Sequence, residues 1–252
     1  MDNGAIGTGQ EPVRLCLLAG KIMLQSGAET YRVEDTMSRM ATAMGLVSSH
    51  SSVTPTVIMF QAGDTGSAQL IRIAERTIDL QKVAAVNDIS RKLSSGAITT
   101  QAAHGLLVEI DLSKHAYPVF LQITAAAIST GCFTLMFKGE LSDFIPGVLC
   151  GGLAFSAFIL IHRLVKVKFF AEFTASLLVG LLAMLLVTLG IGVSLDKIII
   201  GSVMPLVPGL VITNAVRDLM AGHLVSGLSR GAEAFLTAFA IGAGIAVMFT
   251  FF

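Results

Sequence analysis

Residues 117–137 run for 21 positions without a charged side chain, about 31 Å as an α-helix, the thickness of a bilayer core. This run constrains the fold more than any other, because in lipid only helices and closed barrels satisfy their own backbone polar groups. Four further apolar runs follow, at 144–161, 169–191, 195–219 and 232–252. Short connections between them make neighbouring spans antiparallel. The expected architecture is a membrane all-α bundle of about five transmembrane helices over 116–252, with the lipid bilayer as its solvent.

The preceding stretch has a different composition. Residues 1–115 hold 10 of the 17 Lys/Arg and 11 of the 17 Asp/Glu, although charged residues make up only 13% of the whole chain. That is an ordinary soluble ratio. Residues 12–27 and 29–44 have helical spacing, the second with Val33, Met37, Met40 and Met44 on one face and Gly45 at its end. Residues 47–53, 56–61 and 68–73 are rich in β-branched side chains and read as a small antiparallel sheet whose last two strands form a hairpin. Residues 79–93 and 100–112 return to helical spacing, with Ala103, Leu106, Leu107 and Ile110 on one face. A small α+β domain over 1–115, in the order ααβββαα, is therefore expected ahead of the spans.

Residues 1–11 are Gly-rich and acidic and lack the basic and apolar regions of a signal peptide, which places this domain in the cytosol. Cys16, Cys132 and Cys150 have neither disulfide nor metal spacing. His50, His104, His115, His162 and His223 lack a ligand pattern, so no metal or other cofactor is expected. With zero net charge and no basic block, nucleic acid is excluded as a partner. Orientation follows from the basic residues. With the N-terminus inside, the 161–169 loop is cytosolic and carries Arg163, Lys166 and Lys168, as the positive-inside rule requires. The 139–143 and 192–197 connections and the C-terminus then lie outside.

The most informative segment is 204–218. Pro205 and Pro208 remove backbone donors inside an apolar run and Gly209 adds flexibility, so a broken helix is expected, of the kind tolerated where it lines a cavity. Transporters aim such half-helix ends at substrates. After the break, Asn214, Arg217 and Asp218 fall on one helical face beside Thr213. This stripe faces a substrate pathway, or else Arg217 snorkels to the inner surface with Asp218 as its partner. On the pathway reading Thr213, Asn214 and Arg217 bind substrate. Asp218, or Glu172 or Glu233 near the cytosolic ends of their spans, carries a coupling proton. Gly151, Gly152, Gly242 and Gly244 suit close helix packing.

In the soluble part, Ser26 and Glu29 have the spacing of a capping box, with a cytosolic gating surface at Glu29 and Arg32 as the functional alternative. Asp64–Thr65–Gly66–Ser67 spells an aspartic-protease motif, but no second copy exists, and Gly63–Asp64 between two β-rich runs reads as a hairpin turn. A membrane-anchored hydrolase using the Asp64 loop and a non-transporting scaffold are the rival functions.

Three collinear stretches resemble the threonine/serine exporter family. The first is Leu18–Ala19–Gly20 with Leu24–Gln25–Ser26–Gly27–Ala28–Glu29–Thr30–Tyr31–Arg32–Val33–Glu34. The second is Pro208–Gly209 with Thr213–Asn214–Ala215–Val216–Arg217–Asp218–Leu219. The third is Ser226–Gly227–Leu228–Ser229–Arg230–Gly231–Ala232–Glu233–Ala234. The resemblance implies a bacterial inner-membrane secondary exporter, not an enzyme, moving small amino acids such as threonine and serine. In split relatives it implies dicarboxylates such as succinate. It also implies that a smaller integral membrane subunit supplies a second half, this chain being similar to the larger subunit; a homo-oligomer is the arrangement if the chain works alone. Cysteine labelling should place Lys166 with Arg14 in the cytosol, and Glu140 and Phe252 outside. A cytosolic C-terminus would require an even number of spans.

Overall fold

The computed structural model describes residues 10–46, 48–63, 66–113 and 117–251. Asp64 and Thr65, where a hairpin turn is expected, His115 and Phe252 lie outside the described residues. Contacts divide the chain into two units, Met1–Ala116 with Thr213–Gly231, and Tyr117–Ile212 with Ala232–Phe252.

The first unit contains α1 (Gln10–Gln25), α2 (Thr30–Ala43), β1 (Ser49–Thr54), β2 (Val57–Ala62), β3 (Gln69–Arg72), α3 (Leu80–Ser94) and α4 (Thr100–Leu112). The strands form an antiparallel sheet in the order β1-β2-β3, with Val53 opposite Ile58 and Ile58 opposite Ile71. Ile58 and Phe60 point into the core while Met59 between them is exposed, the period-2 alternation of a half-buried strand. Val33, Met37 and Met40 line the buried face of α2, and Met44 packs at its margin. Gly45 ends the helix with φ +83°, a conformation that only glycine adopts freely. Asp79 and Thr99 cap α3 and α4 by accepting from the amides of Lys82 and Ala102. On α4 the buried residues are Ala103 and Leu107, whereas Leu106 is exposed, because α4 covers the core along a narrower face than its sequence suggested. Cys16 lies in this core. Burial pushes its thiol up to about 12, which makes it inert.

The second unit contains α5 (Val119–Met136), α6 (Phe144–Val165), α7 (Lys168–Thr188) and α8 (Leu195–Val203), with parts of α9 (Gly209–Met220) and α10 (Leu224–Phe251). Among the described residues, four helices are long and apolar enough to cross a membrane, or five spans if the bent pair α8–α9 counts as one. The expected fourth span is not continuous. A 3₁₀ turn at Met204–Leu206 and an extended Val207 interrupt it, and the segments Leu195–Leu206 and Gly209–Met220 are bent by 61°. Pro208 holds Val207 out of the helical region. The last helix starts at Leu224, eight residues before the apolar run that announced it.

Packing in this unit is inverted relative to a soluble bundle. The buried face of α7 is Ala171, Glu172, Ala175, Ser176, Val179, Gly180 and Ala183. Many exposed positions in this unit are large and apolar, such as Leu149 and Leu153 on α6, Leu185 on α7, and Phe235 and Phe239 on α10. Small residues inside and large ones outside is how helices associate in lipid. A Cβ on Gly151 would collide with Thr130, and one on Gly244 with Ser176; Gly242, however, faces open space. Asp143, at the α5–α6 connection, accepts from the amides of Val193 (2.7 Å) and Ser194 (3.1 Å) at the α7–α8 connection. Two connections that the sequence reading puts on one side of the membrane are thus tied together.

Helices α5 and α8 also approach closely, and a Cβ on Gly201 would sit 2.6 Å from the Thr134 backbone nitrogen. Backbone cannot yield as a side chain does. Gly201→Val should lower stability by about 1–3 kcal/mol, read as earlier unfolding in detergent, whereas Gly242→Ala should be neutral.

Candidate functional site

The α1–α2 corner turns at Gly27 (φ +88°). The structure does not form the capping box. Helix α2 starts at Thr30, its N-cap is Glu29, and the Glu29 side chain makes no cap bond. The Glu29 carboxylate is instead gripped by two guanidinium groups. Arg32 Nη1 donates to Oε2 at 3.0 Å, and Arg217 Nη1 to Oε1 at 2.5 Å. Glu29 has a side chain only 5% exposed, while those of Arg32 and Arg217 are 39% and 54% exposed. Burial pushes the Glu29 carboxyl up, but its own backbone N–H, Arg217 and Arg32 outweigh this and hold it below the usual range.

The rest of the stripe on α9 faces the same corner. Asn214 Nδ2 donates to the Gly27 carbonyl at 2.8 Å. Asp218 is fully buried, accepting from the Thr30 amide at 2.9 Å and the Thr30 hydroxyl at 3.0 Å. Arg230, at the start of α10, approaches Asp218 at 3.3 Å and donates to the Ala28 carbonyl at 2.8 Å. Asp218 is therefore not a surface partner of Arg217. Its cation is Arg230. Glu34, from the same sequence motif as Glu29, accepts the Val53 amide at 2.8 Å and ties α2 to β1. All of these residues belong to the first unit, as does Thr213.

Glu172 and Glu233 lie in the second unit, where Lys168 stands 3.7 Å from Glu172 and 3.5 Å from Glu233. Glu172 is 2% exposed and, among the described residues, its Oε2 has no hydrogen-bond partner, nor does the buried hydroxyl of Thr237 on α10. The structure thus groups the anticipated residues as Glu29, Arg32, Asn214, Arg217 and Asp218 in one unit, and Glu172 with Glu233 in the other. Pro205, Pro208 and Gly209 lie at the α8–α9 break. Thr30, Arg230, Lys168 and Thr237 were not among the anticipated site residues. Arg230 carried a usable signal, since a charge at the head of a long apolar helix demands a buried partner.

Residues 14–252 match the family described as "Putative threonine/serine exporter" (ThrE). The chain belongs to the threonine/serine exporter family. A relative from Klebsiella aerogenes, named "Probable succinate transporter subunit YjjP", is 26% identical over 94% of this chain and 92% of its own length. "Probable threonine/serine exporter" of Mycobacterium tuberculosis is 23% identical over 89% of this chain but only 43% of its own length. "Pheromone-regulated membrane protein 10" of Yarrowia lipolytica is 25% identical over 92% of this chain and 19% of its own length. No solved structure matches. The family and its named exporters are transporters rather than enzymes, and this disposes of the Asp64 hydrolase reading.

Removing the Asp218 carboxylate would leave Arg230 buried without its counter-ion, so Asp218→Ala should destabilise the protein by about 3–5 kcal/mol, measured by thermal or denaturant unfolding. Glu29 gives a pH signature. Its carboxyl is lowered on folding, so its contribution is present above the unfolded value of about 4.3 and is lost as pH falls through the folded one. Glu29→Gln should flatten that acid limb of a stability–pH profile.

Proposed function

We propose that this chain is the larger subunit of a secondary exporter in the bacterial inner membrane. It would move threonine and serine, or a small dicarboxylate such as succinate, out of the cytosol. A smaller integral membrane subunit would supply the second half. The coverage of the relatives supports this arrangement: the chain accounts for nearly all of a protein named a transporter subunit, but for less than half of one named an exporter. The first unit then lies in the cytosol and the C-terminus outside, with α8–α9 as a broken span.

The observation that carries the reading is Arg217. It is half exposed, it holds a carboxylate, and among the described residues its guanidinium pairs with Glu29 alone. Its remaining donors suit a second carboxylate, that of the cargo, with Thr213 nearby to hydrogen-bond it. Glu172 and Glu233, bridged by Lys168, are the groups to which we assign the coupling proton. Asp218, bound by Thr30 and Arg230, would hold the corner in place. For Asn214 a second reading has an observation in its favour: its bond to the Gly27 carbonyl is what a helix-gluing residue would make.

Efflux from preloaded cells or vesicles, normalised to membrane-inserted protein, separates these roles. Arg217→Ala should abolish export, and Arg217→Lys should reduce it roughly tenfold or more, because an ammonium cannot reproduce the guanidinium fork. Near-normal efflux with lysine would make Arg217 an anchor. Asn214→Leu should abolish efflux if Asn214 contacts cargo, while normal efflux would leave it as glue.

A further inference from the structure

A groove of about 520 Å³ lies between α2 and α3 in the first unit. Its walls include Tyr31, Arg32, Asp35 and Arg39 from α2, and Asp88 and Arg91 from α3. The charges are unevenly satisfied. Asp35 is paired with Arg39, and Asp88 with Lys92 at 2.7 Å. Arg32 shares one carboxylate, Glu29, with Arg217, so that pair of guanidinium groups exceeds its counter-charge by one. The Arg91 guanidinium has no ion pair or hydrogen bond among the described residues. Both acids of the groove are thus neutralised, while two arginines, one on each wall, present donors without a matching anion. A volume of this size holds a small organic acid, and guanidinium forks are the donors that recognise carboxylates.

We propose that the α2–α3 groove is a binding site for small carboxylates, the chemical class of the proposed cargo, with Arg91 and Arg32 as its anion-binding residues. The inference rests on the reading of the chain as a carboxylate exporter for its biological sense, but its test does not depend on transport. Arg32 gives the site a consequence. It lies in the groove and also on Glu29, so a bound anion competes with Glu29 for Arg32 and loosens one of the two grips on the carboxylate that Arg217 holds. The groove would register cytosolic carboxylate and pass that occupancy to the α1–α2 corner.

The chain supplies its own reporter. It has no tryptophan and two tyrosines, Tyr31 in the groove and Tyr117. In full-length protein in detergent carrying Tyr117→Phe, all tyrosine emission comes from Tyr31. Titration with succinate, L-threonine and L-serine at constant ionic strength should give a saturable change in that emission. Arg91→Gln, an exposed substitution on α3, should weaken the apparent affinity roughly tenfold or more while leaving the circular dichroism unchanged. Arg91→Lys should recover only part of it. A response to succinate alone identifies a dicarboxylate site, and one to threonine or serine identifies a zwitterion site. The proposal is overturned if none of the acids gives a saturable response, if sodium chloride reproduces it, or if Arg91→Gln leaves it unchanged. Failure of cells carrying the wild-type protein to export any of these acids would instead count against the transport reading and leave the groove result standing.

Discussion

The buried carboxylate of Asp218 organises the first unit. Taking a charge out of water costs several kcal/mol, and that cost is offset only where partners surround it. Here the Thr30 amide and hydroxyl meet it from the start of α2, and Arg230 from the start of α10. Because Thr30 follows Glu29 directly, seating Thr30 on Asp218 also sets where Glu29 stands, one helical step from Arg217. Asn214 and Arg230 then fix the carbonyls of Gly27 and Ala28, so four consecutive residues of the corner are held from α9 and α10. A loop with no regular structure of its own is thereby given a defined shape.

The second unit solves the opposite problem. Its surroundings reward large apolar side chains on the outside, and much of the interior is alanine, glycine, serine and threonine beside a smaller set of large residues such as Ile198, Leu206 and Met248. Close backbone approach supplies the cohesion, as at Gly151 against Thr130 and Gly201 against Thr134. In that setting Glu172 stands out. It is almost fully buried, Lys168 reaches it from one turn away, and one of its oxygens has no hydrogen bond among the described residues. Cohesion alone does not require such a group.

The sequence announced the elements well because their signals are local. Alternation in β2, the methionine face of α2 and the charge-free run of α5 each follow from a period or a length that a short window contains. It also flagged the residues of the corner individually: Glu29, Arg32, Asn214, Arg217 and Asp218. What it could not supply was their pairing, since Glu29 and Arg217 are separated by 188 residues and each has a plausible local partner. The capping box failed for that reason. The local spacing was right, but two arginines outbid a single backbone amide for the carboxylate. Arg230 stands in the third matching stretch but ahead of the apolar run at 232–252, which hides that the helix starts at Leu224 and carries it.

That pairing also changes what counts as a module of this protein. Hydropathy suggests that the first 115 residues could be cut away and studied as a soluble piece. The fold assigns Thr213–Gly231 to the same body. A truncation before the first membrane helix would strip Thr30 of its acceptor, leave the Gly27 and Ala28 carbonyls bare, and remove one of the two cations from Glu29. Such a fragment would have a wound where its α1–α2 corner should be. A faithful soluble version would carry residues 213–231 back in, grafted through a linker.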